Sequence, residues 1–176
     1  MTSALWLMEP SIRFNFPNNH TSFVVYWSEC NCRCFYCDLS KVFINCIPFD
    51  KEALELSLPY IDCLVVSGGE PLLDFKRVLE FQEFAKNNKL WFYVYTNGYD
   101  LDKVNLLLSS YDKTKIVIDV KGNSVEQINQ VTSTNLGEKF LKTYEQLANN
   151  PNVIFRFNDY IKPTRKYKNI ETYEIH

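Results

Sequence analysis

Short apolar runs recur along this chain, each breaking off at glycine or polar residues and each followed by a stretch at helical spacing. The runs are 22–27, 63–67, 90–95, 115–121 and 152–157. Between them, 50–58 reads as a helix or irregular segment stopped near Pro59, which removes a backbone donor and disfavours helix in the residue before it. The stretch 74–88 carries Phe75, Val78, Leu79, Phe81, Phe84 and Ala85 on one 3.6-period face, with Asp74 placed to cap its start. Further helices are predicted over 101–108, 124–132 and 137–150. This alternation predicts βα units around a mostly parallel sheet. Too few units are present to close a complete eight-fold barrel, so the expected fold is α/β: an incomplete, open (β/α) barrel of about five to six βα units. In such sheets ligands sit at the carboxyl ends of the strands. Four of the runs end there in a distinctive group: cysteines, Gly-Gly-Glu, Thr-Asn-Gly and Asp-Val-Lys.

The 176 residues fit one domain spanning 1–176, with a core over about 20–160 and a basic tail over 161–176 that gathers Lys162, Arg165, Lys166 and Lys168. Hydrophobic residues at 46% and aromatic residues at 15% are enough for a packed core and exclude wholesale disorder. A net charge of -2 and a pI near 5.7 are too neutral for a protein that lives on a nucleic-acid backbone. No basic segment followed by an apolar one opens the chain, and no run approaches the ~18 uncharged apolar residues of a membrane span. The expectation is a cytoplasmic protein with neither a nucleic acid nor a membrane as partner.

Six cysteines are unevenly placed: Cys30, Cys32, Cys34 and Cys37 crowd together, while Cys46 and Cys63 stand apart as buried small hydrophobes. In a thiol-reducing compartment such a cluster binds metal or does chemistry more often than it forms bridges. Cys30, Cys34 and Cys37 fall in the spacing CxxxCxxC. Three thiolates on one loop suit an iron–sulfur cluster in which one iron lacks a protein ligand and stays open to a substrate. The competing reading is a zinc knuckle with Cys32 as fourth ligand. Structural zinc sites normally pair two such halves a dozen or more residues apart, and here no second half exists; His20 and His176 are the sole histidines.

With these residues in place the chain resembles the radical S-adenosylmethionine (SAM) superfamily, and the resemblance covers nearly the whole sequence. Its defining motif is the CxxxCxxC loop after the first strand, and Tyr36 holds the place of the family's adenine-contacting aromatic residue. Ser67-Gly68-Gly69-Glu70-Pro71 is similar to the motif that holds the amino end of the SAM methionine, and a Gly-Gly pair also lets backbone approach a ligand closely. Phe16-Pro17, Thr96-Asn97-Gly98, Asp119-Val120-Lys121 and Phe155-Arg156 resemble the small activating enzymes of glycyl radical proteins, anaerobic ribonucleotide reductase activases in particular. The resemblance implies a [4Fe-4S] cluster on Cys30, Cys34 and Cys37. It implies a SAM site from Tyr36, Gly68, Gly69, Glu70, Asn97, Asp119, Lys121 and Arg156, with Lys121 near the methionine carboxylate and Arg156 near the ribose or carboxylate. A bland alternative stands beside each: Asn-Gly is a common turn, Asp119 and Lys121 could pair on a strand surface, and Arg156 could be solvated.

What the resemblance implies chemically is reductive cleavage of SAM to methionine and a 5′-deoxyadenosyl radical, the electron coming from a flavodoxin- or ferredoxin-type donor. The expected target is a glycine in a partner enzyme, reached through the open side of the barrel, with the basic tail available for docking. Two positions depart from the activase pattern. Tyr95 stands where an acidic residue is common, and Asp38-Leu39-Ser40 follows the third cysteine. The Cys-Asp pair also resembles 7-carboxy-7-deazaguanine synthases, in which a threonine at the place of Leu39 helps hold magnesium. A small-molecule radical enzyme is therefore the alternative, and a non-enzymatic metal-binding module is the third reading.

Overall fold

The computed structural model of the chain describes residues 4–9, 11–37 and 43–173. Asp38, Leu39, Ser40 and His176 lie outside the described residues. The strands are β1 (Leu5–Met8), β2 (Ile12–Arg13), β3 (Ser22–Trp27), β4 (Cys46–Pro48), β5 (Cys63–Gly68), β6 (Trp91–Thr96), β7 (Thr114–Asp119), β8 (Val153–Asn158) and β9 (Ile170–Tyr173). The helices are α1 (Lys51–Ser57), α2 (Phe75–Asn87), α3 (Leu101–Ser110), α4 (Val125–Thr132) and α5 (Gly137–Leu147).

All nine strands join one sheet in the order β4-β1-β3-β5-β6-β7-β8-β9, with β2 beside β3. From β3 to β9 every pairing is parallel, while β1, β2 and β4 pair antiparallel at one margin. The path runs from β4 to β9 without closing on itself. The expected open, mostly parallel α/β architecture is what the chain forms.

Helix starts follow from local chemistry. Asp50, Asp74, Asp100 and Ser124 each accept a backbone N–H from the first turn of the helix that follows. Three of these caps stand a few residues beyond a strand-end motif, so each motif is fixed between a strand and a capped helix. Period-2 alternation then divides the strand residues between the two faces of the sheet. Phe23, Val25, Leu64, Val66, Phe92, Val94, Ile116, Ile118, Val153 and Phe155 pack with the helices in the large core. Val24, Cys63, Val65, Tyr93, Tyr95, Val117 and Ile154 form a smaller cluster on the opposite face, with Phe16, Tyr26 and Trp91 against it. One step further along each strand this second face becomes polar, and the candidate site begins.

The structure extends the expected sheet at both ends. Residues 5–8 and 46–48 add antiparallel strands at the margin beyond β3. At the other end, Ile170–Tyr173 pairs with β8 in the register Phe155↔Ile170 to Asn158↔Tyr173, so the basic tail leads into a sixth parallel strand. The run 115–121 stops as a strand at Asp119, because the Lys121 N–H turns away to the Tyr144 hydroxyl of α5 at 3.2 Å. Leu64 is fully buried in a central strand. Leu64→Ala is expected to destabilise the fold by about 2–5 kcal/mol, measured by urea unfolding.

Candidate functional site

The cysteine loop leaves β3 and crosses directly over the end of β5. Gly69 N–H donates to Trp27 O at 2.6 Å and Glu70 N–H to Glu29 O at 2.7 Å. A Cβ at Gly68, where φ is +96°, would come within 2.6 Å of the Trp27 carbonyl, and one at Gly69 would fall on the Glu29 carbonyl. Both glycines are thus required by chain packing as well as by any ligand. Further on, the loop rests on the end of α4, where Arg33 N–H donates to Thr132 O at 2.8 Å.

Beneath this loop lies a cavity of about 300 Å³ at the carboxyl ends of the strands. Cys30, Cys34 and Cys37 line it together with Tyr36, Gly68, Gly69, Asn97, Asp119, Lys121 and Arg156. Ten of the eleven residues singled out in the sequence therefore share one space. Glu70 is the exception: its carboxylate is fully buried behind the wall. There Oε1 accepts from Leu72 N–H at 3.0 Å and the Thr96 hydroxyl at 2.7 Å, and Oε2 accepts from Asn97 N–H at 2.8 Å. It is held by the turn it organises, and burial raises its pKa to about 7 despite those donors.

Charge inside the cavity is arranged across neighbouring strands. Asp119 and Arg156 are direct partners between β7 and β8, and the guanidinium grips the carboxylate with Nε and with Nη2, the latter at 2.9 Å. The Arg156 guanidinium is also sandwiched between rings, 4.9 Å from the centre of Tyr95 and 4.5 Å from that of Tyr173. Burial opposes ionisation of both partners, but the attraction outweighs it, so the Asp119 pKa is lowered and that of Arg156 raised. Lys121 behaves likewise: burial disfavours its ammonium, yet Asp119, then Tyr36 and Cys34, hold it charged. The Lys121 Nζ lies 5.6 Å from the centre of the Tyr36 ring. The surface-pair and solvated readings of these three residues give way to an ionic group facing the cavity, with Lys121 buried and Asp119 and Arg156 half-buried.

The thiols are equally specific. Cys34 is lowered to about 6 and Cys30 to about 7, each chiefly through a hydrogen bond from the Cys32 thiol, whose own pKa is raised by the same bonds. Thiolates that exist near neutral pH are the chemistry an iron–sulfur cluster takes. Among the described residues no group of three His, Cys, Asp or Glu side chains is already drawn together as for a bound metal ion. Tyr36 supplies a second sign of fit: its hydroxyl is buried without a hydrogen-bond partner.

Several lining residues escaped the sequence reading. Tyr173 lies in the stretch assigned to the tail, although Ile170-Glu171-Thr172-Tyr173 alternates as a strand should. Tyr26 and Ser67 also line the cavity, one residue inside the ends of β3 and β5. Tyr95, noted only as a departure, stacks on Phe16 with ring centres 5.7 Å apart and carries Arg156 on its ring.

Comparison with solved structures finds anSMEcpe with bound AdoMet and Cp18Cys peptide, at a TM-score of 0.53 and 17% identity, covering 84% of this chain and 48% of that one. A curated protein of Methanocaldococcus jannaschii, named by inference as a glycyl-radical enzyme activating enzyme, is 27% identical over 103 residues. The open, mostly parallel α/β fold is the one this chain shares with that solved protein. No protein-family model matches it. The matches span less than half the length of either relative, 43% of the curated protein and 48% of the solved chain. Among the described residues no helix is long and apolar enough to cross a membrane.

Glu70 gives this fold a pH signature. Its folded-state pKa stands above the ordinary 4.5, so the neutral form is favoured by folding. Its stabilising contribution is expected to be complete below about pH 4.5 and to fade as the pH rises to about 7. Denaturant unfolding of the wild type and Glu70→Gln across this range checks it: the stability difference between them should move in favour of the glutamine variant as the pH rises.

Proposed function

We propose that the chain is a radical SAM enzyme that installs a glycyl radical on a partner protein. The reading is carried by one observation: three thiols of a single loop and the group Asp119, Lys121 and Arg156 line the same cavity at the strand ends. Cys30, Cys34 and Cys37 would hold a [4Fe-4S] cluster with one iron left open. When bound and reduced, that cluster supplies the electron that splits SAM into methionine and a 5′-deoxyadenosyl radical.

The protein's part is to bind, orient and exclude water. Lys121, kept charged by its neighbours, is placed for the methionine carboxylate. Backbone at Gly68 and Gly69 receives the amino end, and Tyr36 offers its ring and unpartnered hydroxyl to the adenosine. Arg156 is committed to Asp119 on one edge, so the two act as a fixed polar wall against the ribose or carboxylate rather than as free ligands. Cys30 and Cys37 are exposed, which places the cluster within reach of a small flavodoxin- or ferredoxin-type donor.

The size of the cavity bears on the substrate. About 300 Å³ is at the bottom of the usual ~300–1,000 Å³ of small-molecule sites, so a cluster and SAM together would leave little room for a second small molecule. A hydrogen donor must then reach in from outside, as a slender segment of another protein can. Transfer of a hydrogen atom from a glycine Cα leaves the radical on the partner and releases 5′-deoxyadenosine. The resemblance to the curated activating enzyme supports the same choice.

Anaerobic loading with iron and sulfide, reduction with SAM present, and chromatography for 5′-deoxyadenosine and methionine test the reading. The wild type is expected to form both and Cys34→Ala neither, while Lys121→Ala raises the KM for SAM about tenfold or more. Addition of the host's glycyl radical protein should give a glycyl EPR doublet. Zinc without sulfide and intact SAM would overturn the proposal; turnover of a pterin without radical transfer would replace the activase with a small-molecule enzyme.

A further inference from the structure

Asn97 sits in the cavity wall with every polar group engaged by protein. Its backbone N–H donates to Glu70 and its carbonyl accepts the Tyr144 hydroxyl at 3.3 Å. The side-chain Oδ1 accepts Tyr99 N–H at 3.0 Å. What remains is the Nδ2 amide, which donates to Asn31 Oδ1 at 2.8 Å and to Cys32 Sγ at 3.4 Å. Both acceptors lie in the middle of the cysteine loop, 66 and 65 residues earlier in the chain.

We infer that Asn97 is a positioning residue that latches the cysteine loop to the end of β6, and that Cys32 is the sulfur this latch holds rather than a fourth metal ligand. The two ends of the latch are both fixed. Asn97 is 5% exposed and Cys32 8%. Asn31 Nδ2 is buried without a partner, so that amide is oriented through its oxygen, where the 2.8 Å bond from Asn97 is shorter than the thiol contacts from Cys32 at 3.7 Å and Cys30 at 4.0 Å. From the latched point the order passes to a neighbouring thiol, because Cys32 N–H donates to Cys30 Sγ at 3.4 Å. The sulfur of Cys32 is thus occupied as an acceptor from β6, while its backbone sets the position of Cys30. The half of the inference that concerns metal rests on the radical SAM reading; the latch itself does not.

Hydrogen exchange of the metal-free protein, followed by mass spectrometry over residues 30–36, tests the latch. Asn97→Asp keeps the acceptor for Tyr99 and removes the donor, and Asn97→Ala removes both. Each is expected to exchange the loop amides about five- to tenfold faster than the wild type. Cys32→Ala, which leaves the Asn31 bond in place, should change exchange less than twofold. After anaerobic loading it should take up as much iron and sulfide per chain as the wild type, with the same EPR spectrum. Unchanged exchange in both Asn97 variants would overturn the latch, and loss of iron in Cys32→Ala would make that cysteine a ligand. If the wild type itself takes up no iron and sulfide, the radical SAM reading fails while the exchange result still decides the latch.

Discussion

The crossing of two backbones at Gly68 and Gly69 sets the geometry on which the site depends. Two side chains are missing there so that the chain leaving β3 can lie directly on the end of β5, joined by Gly69 N–H to Trp27 O and Glu70 N–H to Glu29 O. Glu70, immediately afterwards, carries the arrangement one strand further by receiving Thr96 and Asn97 from β6. Tyr144 continues it, donating to Asn97 O and accepting from Lys121 N–H beyond β7. The carboxyl ends of four strands are thereby fixed to one another by buried hydrogen bonds, which are costly to leave unmade. The cavity is the space these bonds leave between them.

Its electrostatics follow from the same enclosure. Two cations, Lys121 and Arg156, stand beside Asp119 in a wall with little water, where an isolated charge would be neutralised. They stay charged because Asp119 lies between them along adjacent strands, at i and i+2 on β7 and its continuation and opposite Arg156 on β8. Aromatic faces supply the rest: Tyr36 at Lys121, and Tyr95 with Tyr173 at Arg156. The tyrosine at 95, where related activases carry an acid, thus forms the bed of a guanidinium that belongs to the protein itself.

Much of this was legible in the sequence, for reasons that particular residues make plain. Continuous apolar runs marked β3 and β5 to β8 because both faces of those strands are covered, and Asp74 announced its helix because a capping side chain is a local event. The cavity residues were legible because strand ends in parallel sheets converge. The burial of Glu70 was not legible, since motif position does not say which way a side chain turns at the end of a strand. β9 was hidden by charge: Lys162 to Lys168 looked like a solvated end, yet that segment runs from the cavity down past α5, where Arg165 pairs with Glu145 at 3.1 Å and Lys168 N–H meets Ala148 O. The margin strands β1 and β4 are three or four residues long, too short to carry a period.

The attachment of the cysteine loop to the end of α4 has a consequence for how such a protein comes into being. Arg33 N–H is satisfied by Thr132 O, and the Ser133 hydroxyl donates to Arg33 O at 3.4 Å across 100 residues of sequence. During synthesis the loop emerges well before its outer support, which is made only after four further strands and four helices have been built. Contacts so distant in sequence form late, since the loop-closure entropy must be met before they contribute. A nascent chain therefore shows its thiols to the surrounding medium well before it can enclose anything between them. An oxidant met on the ribosome finds four neighbouring thiols still on a mobile strand of chain, whereas one that meets the finished fold finds them held in an ordered wall.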